Sequence, residues 1–368
     1  MTFLPLPASN FQADEPQRVG ADQTNSGGEL PPTPEDFGSR FSRDAVIAAA
    51  GCLRGLIHRT PVLENAWLNQ QLGCRVFFKC EQFQKGGAFK IRGALHATLQ
   101  LSDEEAGRGV VTHSSGNHAQ ALAIAAAARQ IPCTVVMPEN SPAVKMQATR
   151  DRGATVVTCQ PNQAARIATT QAIIERTGAT LIHPFDQPAI ILGQATAAWE
   201  LLEDVPTIST IFAPVGGGGL LAGTCLAAQW FHGGTDGAGA GAGRVQVVAA
   251  EPSGADDAYR SLLHGQRVTE QEPRTIADGL LTTLGQWTWP IIQHYVSGIV
   301  TVADAEINDA MQIYWERLKW VVEPSGAVSL AGLRQCWATD RPFLDSSRGT
   351  PHIGVIISGG NRDFVPVR

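Results

Sequence analysis

From about residue 39 onward, short apolar runs alternate with amphipathic or alanine-rich stretches. "RVFFKCE" (75–81) precedes a helical stretch from Lys90, and "GVVTHS" (109–114) precedes the alanine-rich 117–130. "CTVVMP" (133–138) precedes 142–152, and "ATVVTC" (154–159) precedes 163–177. "TIFAPV" (210–215) precedes 219–231, while "VQVVAAEP" (245–252) and "HIGVIISGG" (352–360) are further strand-like runs. Val- and Ile-rich runs without polar alternation predict strands buried on both faces. Helical stretches between them predict parallel sheets, so the expected fold class is α/β. Residues 1–38, with six prolines and few aliphatics, are expected to be a disordered extension. Residues 233–243, "GGTDGAGAGAG", read as a flexible surface loop.

Composition narrows the class. With 43% apolar and 17% charged residues, the 368-residue chain can bury a core of one large domain or two ordinary ones. No apolar run approaches a membrane span, and the start lacks the pattern of a signal peptide. Of the net charge of −6, residues 1–38 carry −5, six acids against Arg18, so the remainder is near neutral. That excludes a basic nucleic-acid footprint and a polybasic membrane segment. An acidic extension also argues against an organellar transit peptide. The seven cysteines (Cys52, Cys74, Cys80, Cys133, Cys159, Cys225, Cys336) are scattered and never spaced as CxxC, which reads as reduced thiols in a cytoplasmic protein.

Four motifs carry chemistry. "PVGGGGLLAG" (214–223) stands where a strand would end and a helix begin, a place whose free N–H groups suit a phosphate. A P-loop would need Lys and Ser/Thr after the last glycine, where Leu220 and Leu221 stand. Gly217, Gly219 and Ala222 match a dinucleotide fingerprint, but no acid follows at the required place: Asp236 lies in the glycine-rich loop and Glu251 too far on. A backbone-only phosphate cradle and a tight turn for close packing both stay open. In "EQFQKGGAFKIRGA" (81–94), Lys90 has an apolar setting that would lower its pKa and make it an amine nucleophile. In "THSSGNHAQALA" (112–123), Ser114, Ser115 and Asn117 fit either ordinary helix capping or a carboxylate site, and His118 alone reads as structural. Ser358 in "ISGGN" (357–361) stands at a strand end, the edge where open α/β sheets bind ligands. One cofactor uses a phosphate cradle, a desolvated lysine, a Ser/Asn helix start and a strand-end hydroxyl together: pyridoxal 5'-phosphate.

"FQKGGAFKIRGA", "SSGNHAQA", "VGGGG", "AAEPSGADD", "TIADG", "VVEPSGA" and "SGGN" occur in this order over residues 39–368. The combination resembles the fold-type II pyridoxal-phosphate enzymes, and within them the serine racemase and serine/threonine dehydratase family. That resemblance implies a tryptophan synthase β-like fold of two open, twisted, mostly parallel sheets flanked by helices. A large cofactor domain would comprise 39–108 and 188–368, and a smaller inserted domain 109–187. It implies that Lys90 holds the cofactor as a Schiff base, with Phe89 beside the ring. Gly216, Gly217, Gly218 and Gly219 would bind the phosphate, Asn117 the phenolic oxygen, and Ser358 would face the pyridine nitrogen. Ser114, Ser115, Asn117 and His118 would grip the substrate carboxylate. Arg166 and Thr282, near Gly279, match substrate-side positions, with Thr282 standing where the animal racemases carry Ser. Glu251, Ala255 and Asp257 in "EPSGADD" resemble the family's divalent-cation site, and oxygen-only ligands suit Mg²⁺ or Ca²⁺.

A hydroxyl partner cannot keep the pyridine nitrogen protonated, which weakens the ring as an electron sink and favours β-elimination over transamination. The expected activity is therefore dehydration and deamination of small β-hydroxy amino acids, L-serine or L-threonine first, by a cytoplasmic homodimer. Alternatives are serine racemase, for which Ser115 would be the proton donor opposite Lys90, and threo-3-hydroxyaspartate dehydratase. A non-catalytic pyridoxal-phosphate-binding regulatory protein is a further alternative, which Lys90, Asn117 and Ser358 argue against. Seven residues follow "SGGN", so a C-terminal regulatory domain and feedback by isoleucine are not expected.

Overall fold

The computed structural model describes residues 3–5, 38, 40–231, 245–339 and 349–362. The first half runs β1 (Phe3–Pro5), α1 (Arg43–Leu53), β2 (Val62–Leu63), α2 (Ala66–Leu72), β3 (Arg75–Cys80), α3 (Lys90–Leu99), α4 (Asp103–Arg108), β4 (Val110–His113), α5 (Asn117–Arg129), β5 (Cys133–Pro138), α6 (Ala143–Arg150), β6 (Thr155–Cys159), α7 (Gln163–Thr177) and β7 (Thr180–Leu181). The second half runs α8 (Pro188–Asp204), β8 (Thr210–Pro214), α9 (Gly219–Trp230), β9 (Gln246–Pro252), α10 (Asp257–His264), α11 (Thr288–Tyr295), β10 (Gly298–Val302), α12 (Asp304–Ile313), α13 (Pro324–Ala338) and β11 (His352–Ile357).

The strands form two sheets. The larger has seven strands in the order β1-β10-β9-β8-β11-β3-β2, and the smaller four in the order β6-β5-β4-β7. Every pairing in the smaller sheet is parallel. In the larger, only the two edge pairings, β1 with β10 and β2 with β3, are antiparallel. The fold is thus α/β with two mostly parallel sheets flanked by helices. The strands of the smaller sheet all fall between 110 and 181. Short expected strands and helices match within a few residues, but "GIVTV" (298–302) and the two-residue strands were not anticipated.

One stretch departs from the sequence expectation. Residues 3–5, inside the stretch expected to be disordered, pair with Gly298–Val300 at the sheet edge. The rest of 1–37 and the glycine-rich stretch within 232–244 lie outside the described residues.

Side-chain alternation explains why the strands carry so few polar residues. Phe77, Ile211, Ala213, Val247 and Ala249 face one core with α8 and α9. Val76, Phe78, Phe212, Val248 and Ala250 face a second core with α13. Both faces are covered, so alternation swaps one apolar environment for another rather than apolar for polar. Helix α3 sits between the two sheets. Its Ala97 joins the core of the smaller sheet, while Ile91, Ala94 and Leu95 pack with Leu53, Ile57, Ala121 and Ala125.

Candidate active site

Three strand-to-helix turns converge around α3. At the first, β8 runs into "GGGG" and α9 begins at Gly219, with Gly218 as N-cap at φ 91° and no side chain capping the helix. Only glycine adopts that φ freely. An added Cβ would also collide with protein at each position. At Gly217 it would lie 2.4 Å from the Phe185 ring, at Gly216 2.8 Å from Leu280 Cα, and at Gly218 2.8 Å from Thr288. Thr288 Oγ1 donates to Gly217 O at 2.8 Å and itself accepts from Gly285 N at 2.8 Å, which fixes the turn from behind. The glycines therefore serve close packing and, at the same time, leave a helix N-terminus with its N–H groups uncapped by any side chain.

The second turn carries Lys90, the first residue of α3. Its backbone is zipped to the end of β11: Phe89 N donates to Ser358 O at 3.0 Å and Gly360 N to Gly87 O at 2.9 Å. The partly buried Lys90 side chain donates to Pro184 O at 2.8 Å, and its ammonium lies 4.9 Å from the Phe89 ring centroid. Burial lowers its pKa to about 8, against the opposing pull of the Glu323 carboxylate. Two residues on, Arg92 is fully buried and bonds both oxygens of Glu81 and both of Glu200, and Lys79 also binds Glu200. This balanced cluster ties α3 to β3 and α8 and fixes where Lys90 emerges.

The third turn joins β4 to α5. Here the capping expectation is corrected. Gly116, not Ser or Asn, is the N-cap, and no side chain caps the helix. Ser114 Oγ accepts from Gly116 N at 3.3 Å, Ser115 is half-buried, and Asn117 sits inside the first helical turn. Asn117 Nδ2 donates to Glu323 Oε1 at 2.8 Å, and its Oδ1 accepts from Asn361 Nδ2 at 2.9 Å. His118 is buried. Its Nε2 donates to Ile182 O at 3.2 Å, while its Nδ1 has no hydrogen-bond partner among the described residues. Burial, and then the nearby Lys90 charge, push its pKa down to about 3, so it is a neutral ring.

Ser358 is buried at the end of β11. Arg166 lies on α7, where its guanidinium donates to Gln163 Oε1 at 2.6 Å and leaves Nε enclosed without a partner among the described residues. Thr282 is exposed and makes no hydrogen bond to the other candidates among the described residues. A backbone bond joins Phe89, next to Lys90, to Ser358, and Asn361 ties Asn117 to the chain that follows the same strand end. Among the described residues no hydrogen bond joins Arg166 or Thr282 to these residues.

Known proteins of this kind provide the comparison. Residues 53–343 match the family model of pyridoxal-phosphate dependent enzymes. The chain is 47% identical over 310 residues to serine racemase of Dictyostelium discoideum, covering 84% of this chain and 91% of that protein. It is 42% identical over 319 residues to beta-hydroxyaspartate dehydratase of Paracoccus denitrificans, covering 87% and 96%. The solved structure of maize serine racemase superposes with a TM-score of 0.80 at 41% identity, covering 88% of this chain and 94% of that one. This chain is a fold-type II pyridoxal-phosphate dependent enzyme.

The residues present fit the pyridoxal-phosphate group of that family. A buried lysine held by a carbonyl rather than a carboxylate is ready to become an amine. The uncapped start of α9 suits a dianionic phosphate. Sequence reasoning missed the loop "HPFDQP" (183–188) that crosses between these groups. Its Pro184 holds Lys90, its Phe185 packs on Gly217, and Asp186 accepts from the N–H groups of Gln286, Trp287 and Thr288 at the start of α11. It also assigned no role to Glu323, although the residue stands in the quoted "VVEPSGA". A glutamate just before a helix-initiating proline is the signal that was available.

The enzyme's second acidic feature lies at the end of β9. Glu251 and Asp257 are buried, as is Ala255. Glu251 accepts from Ala258 N and Tyr259 N, and Asp257 from Gln271 Nε2 and Leu284 N. Burial, followed by the Asp257 charge, drives Glu251 well above the usual carboxylate range, and burial raises Asp257 to about 7. Two neighbouring buried carboxylates resist ionisation together, and an oxygen donor set suits a hard divalent ion.

Proposed function

We propose that this enzyme eliminates water from small β-hydroxy amino acids, L-serine or L-threonine first, giving a 2-oxo acid and ammonia. The observation that carries this reading is Ser358. A buried hydroxyl, not a carboxylate, stands at the strand end assigned to the pyridine nitrogen. Pyridoxal phosphate, when bound, supplies an aldehyde that links to amines and a ring that accepts electrons. Gly216 to Gly219 would hold its phosphate, Asn117 its phenolic oxygen and Phe89 one edge of its ring. A free Lys90 amine, its pKa lowered to about 8 by burial, would be suited to taking the Cα proton at near-neutral pH. Ser114, Ser115, Asn117 and His118 would bind the substrate carboxylate at the uncapped start of α5. A neutral His118 adds no charge there.

Racemisation of serine is the second reading, favoured by the similarity to serine racemases, with Ser115 as the residue that would donate the proton on the face opposite Lys90. The enclosed, unpartnered Nε of Arg166 and the similarity to a beta-hydroxyaspartate dehydratase make an acidic substrate a third case to measure. We place Mg²⁺ or Ca²⁺ at Glu251, Ala255 and Asp257, and take the enzyme to act as a cytoplasmic homodimer. Among the described residues no helix is long and apolar enough to cross a membrane, and the seven cysteines are free thiols.

The deciding experiment incubates the enzyme with L-serine, L-threonine and L-threo-3-hydroxyaspartate and quantifies oxo acid, ammonia and D-isomer from each. Oxo acid and ammonia in equal amounts from serine or threonine are expected. A product pool dominated by D-serine with little oxo acid would overturn the reading. In Ser115→Ala, D-isomer formation should vanish while oxo acid formation from L-serine persists.

A further inference from the structure

Glu323 is a buried carboxyl to which the proposed chemistry gives no task. It closes an irregular segment. Tyr314–Leu318 form a π-helical turn, and Lys319 follows at φ 63° in the left-handed region. Such departures cluster where a side chain must be held at a particular place. Glu323 is then the N-cap of α13, yet its side chain makes no capping bond, and Pro324 occupies the first helical position. The carboxylate turns away from its own helix. Its Oε1 accepts from Asn117 Nδ2 at 2.8 Å and its Oε2 from Asn361 N at 3.1 Å. Room for it exists only because residue 359 is glycine, where a Cβ would lie 2.4 Å from Oε1.

An ionised carboxylate can only accept hydrogen bonds. Where Glu323 is ionised, Asn117 presents its Nδ2 to Glu323 and its Oδ1 to Asn361. Asn361 meets it with Nδ2, which also donates to Gly86 O at 2.7 Å. The amide of Asn117 is thus locked in one of two flips, and one Nδ2 hydrogen remains for a ligand.

We propose that Glu323 is a positioning residue that acts through Asn117, fixing the amide flip that offers an N–H rather than a carbonyl to the cofactor's phenolic oxygen. This rests on the reading of Asn117 as the donor to that oxygen. The charged groups around Glu323 are Asp278, Lys145, which is paired to Asp278 at 3.0 Å, and Lys90 at the start of α3. Burial, with Asp278 adding, raises the Glu323 acid to about 8, against the Asn117 and Asn361 bonds and Lys145. On protonation one oxygen becomes a donor, and it then opposes one of the two N–H groups that face it. Glu323→Gln copies that state with the same shape.

The test compares holoenzyme of wild type, Glu323→Gln, Asn117→Ala and the double variant. It records cofactor absorbance against pH, cofactor affinity by titration of apo-protein, and apo-protein melting. Glu323→Gln is expected to displace the pH midpoint of the absorbance change and, at pH ~9 where wild-type Glu323 is ionised, to weaken cofactor binding about 10-fold, the size of one lost hydrogen bond; well below pH ~8 the two proteins should bind alike. The apo-protein melting temperature should stay close to wild type. In the double variant, Glu323→Gln should add nothing to Asn117→Ala. Full additivity, or an unchanged midpoint in Glu323→Gln beside a changed one in Asn117→Ala, would overturn the proposal. An unchanged midpoint in Asn117→Ala would overturn the role of Asn117, and this proposal with it. Should Glu323→Gln fail to fold, Asn361→Ala carries the test. It frees the Asn117 amide from its other side, and an unchanged midpoint there would equally overturn the proposal.

Discussion

Lys90 must lose a proton before it can attack an aldehyde carbon. Burial lowers its pKa to about 8, so a useful share of the side chain is neutral amine near physiological pH. The sign follows directly: capture of pyridoxal phosphate by apo-protein should speed up as pH rises toward about 8 and level off above it. Stopped-flow absorbance on apo-protein measures this. A rate that keeps rising about tenfold per pH unit from pH ~8 to pH ~10, as for an ordinary lysine, would show that the amine is not perturbed. Lys90→Ala should lose the lysine-linked absorbance and at least about 1,000-fold in turnover. Residue-scale chemistry of this kind was legible in the sequence. The apolar neighbours Phe89, Ile91 and Ala94 stand beside Lys90 in the chain, so its desolvation has a local signature. The contacts of Asn117 had none. Its carboxylate partner Glu323 is 206 residues away, and nothing near Asn117 announces it.

At the scale of elements, the strand–turn–helix unit around the four glycines is set by two constraints at once. The turn needs the left-handed φ of Gly218, and its neighbours need the absence of a Cβ against Phe185 and Leu280. Gly217→Ala should therefore cost about 1–3 kcal/mol of stability, the usual penalty for overpacking, read by urea denaturation of apo-protein. Gly217→Ala combined with Phe185→Ala should recover part of that loss, because the ring is the obstacle. If the double variant is no more stable than Gly217→Ala, the collision with Phe185 is not the reason for glycine there. The element pattern was readable because buried parallel strands are continuous apolar runs and the helices between them are long. The loop at 183–188 was not, since its meaning lies in bonds to residues such as Trp287, 101 positions on. Nor was β1, three residues in a proline-rich stretch whose only strand signal is its pairing with β10.

On the scale of the whole molecule, buried charge appears in two states of balance. Around Arg92, two cations meet two carboxylates, and removal of one partner would strand a buried charge. At Glu251 and Asp257, two buried carboxylates neighbour each other, and burial raises both above the usual carboxylate range despite Arg260 beside Asp257. For a carboxyl whose folded pKa is raised, the native state binds more protons than the unfolded chain between the two values. Stability then falls as pH rises through that window, here from about 4 toward about 7 for Asp257, and the loss is complete above it. A divalent cation would accept both carboxylates in ionised form and remove the penalty where it is greatest. We therefore expect the cation-free protein to melt at a lower temperature at pH ~8 than at pH ~5.5, with Mg²⁺ or Ca²⁺ in large excess adding about 5 °C at the higher pH and much less at the lower. Glu251→Gln should flatten the pH dependence and abolish the gain from the cation. Differential scanning calorimetry with chelator or added metal at the two pH values reads all of these. An equal gain at both pH values, or one that persists in Glu251→Gln, would place the cation somewhere else on the molecule.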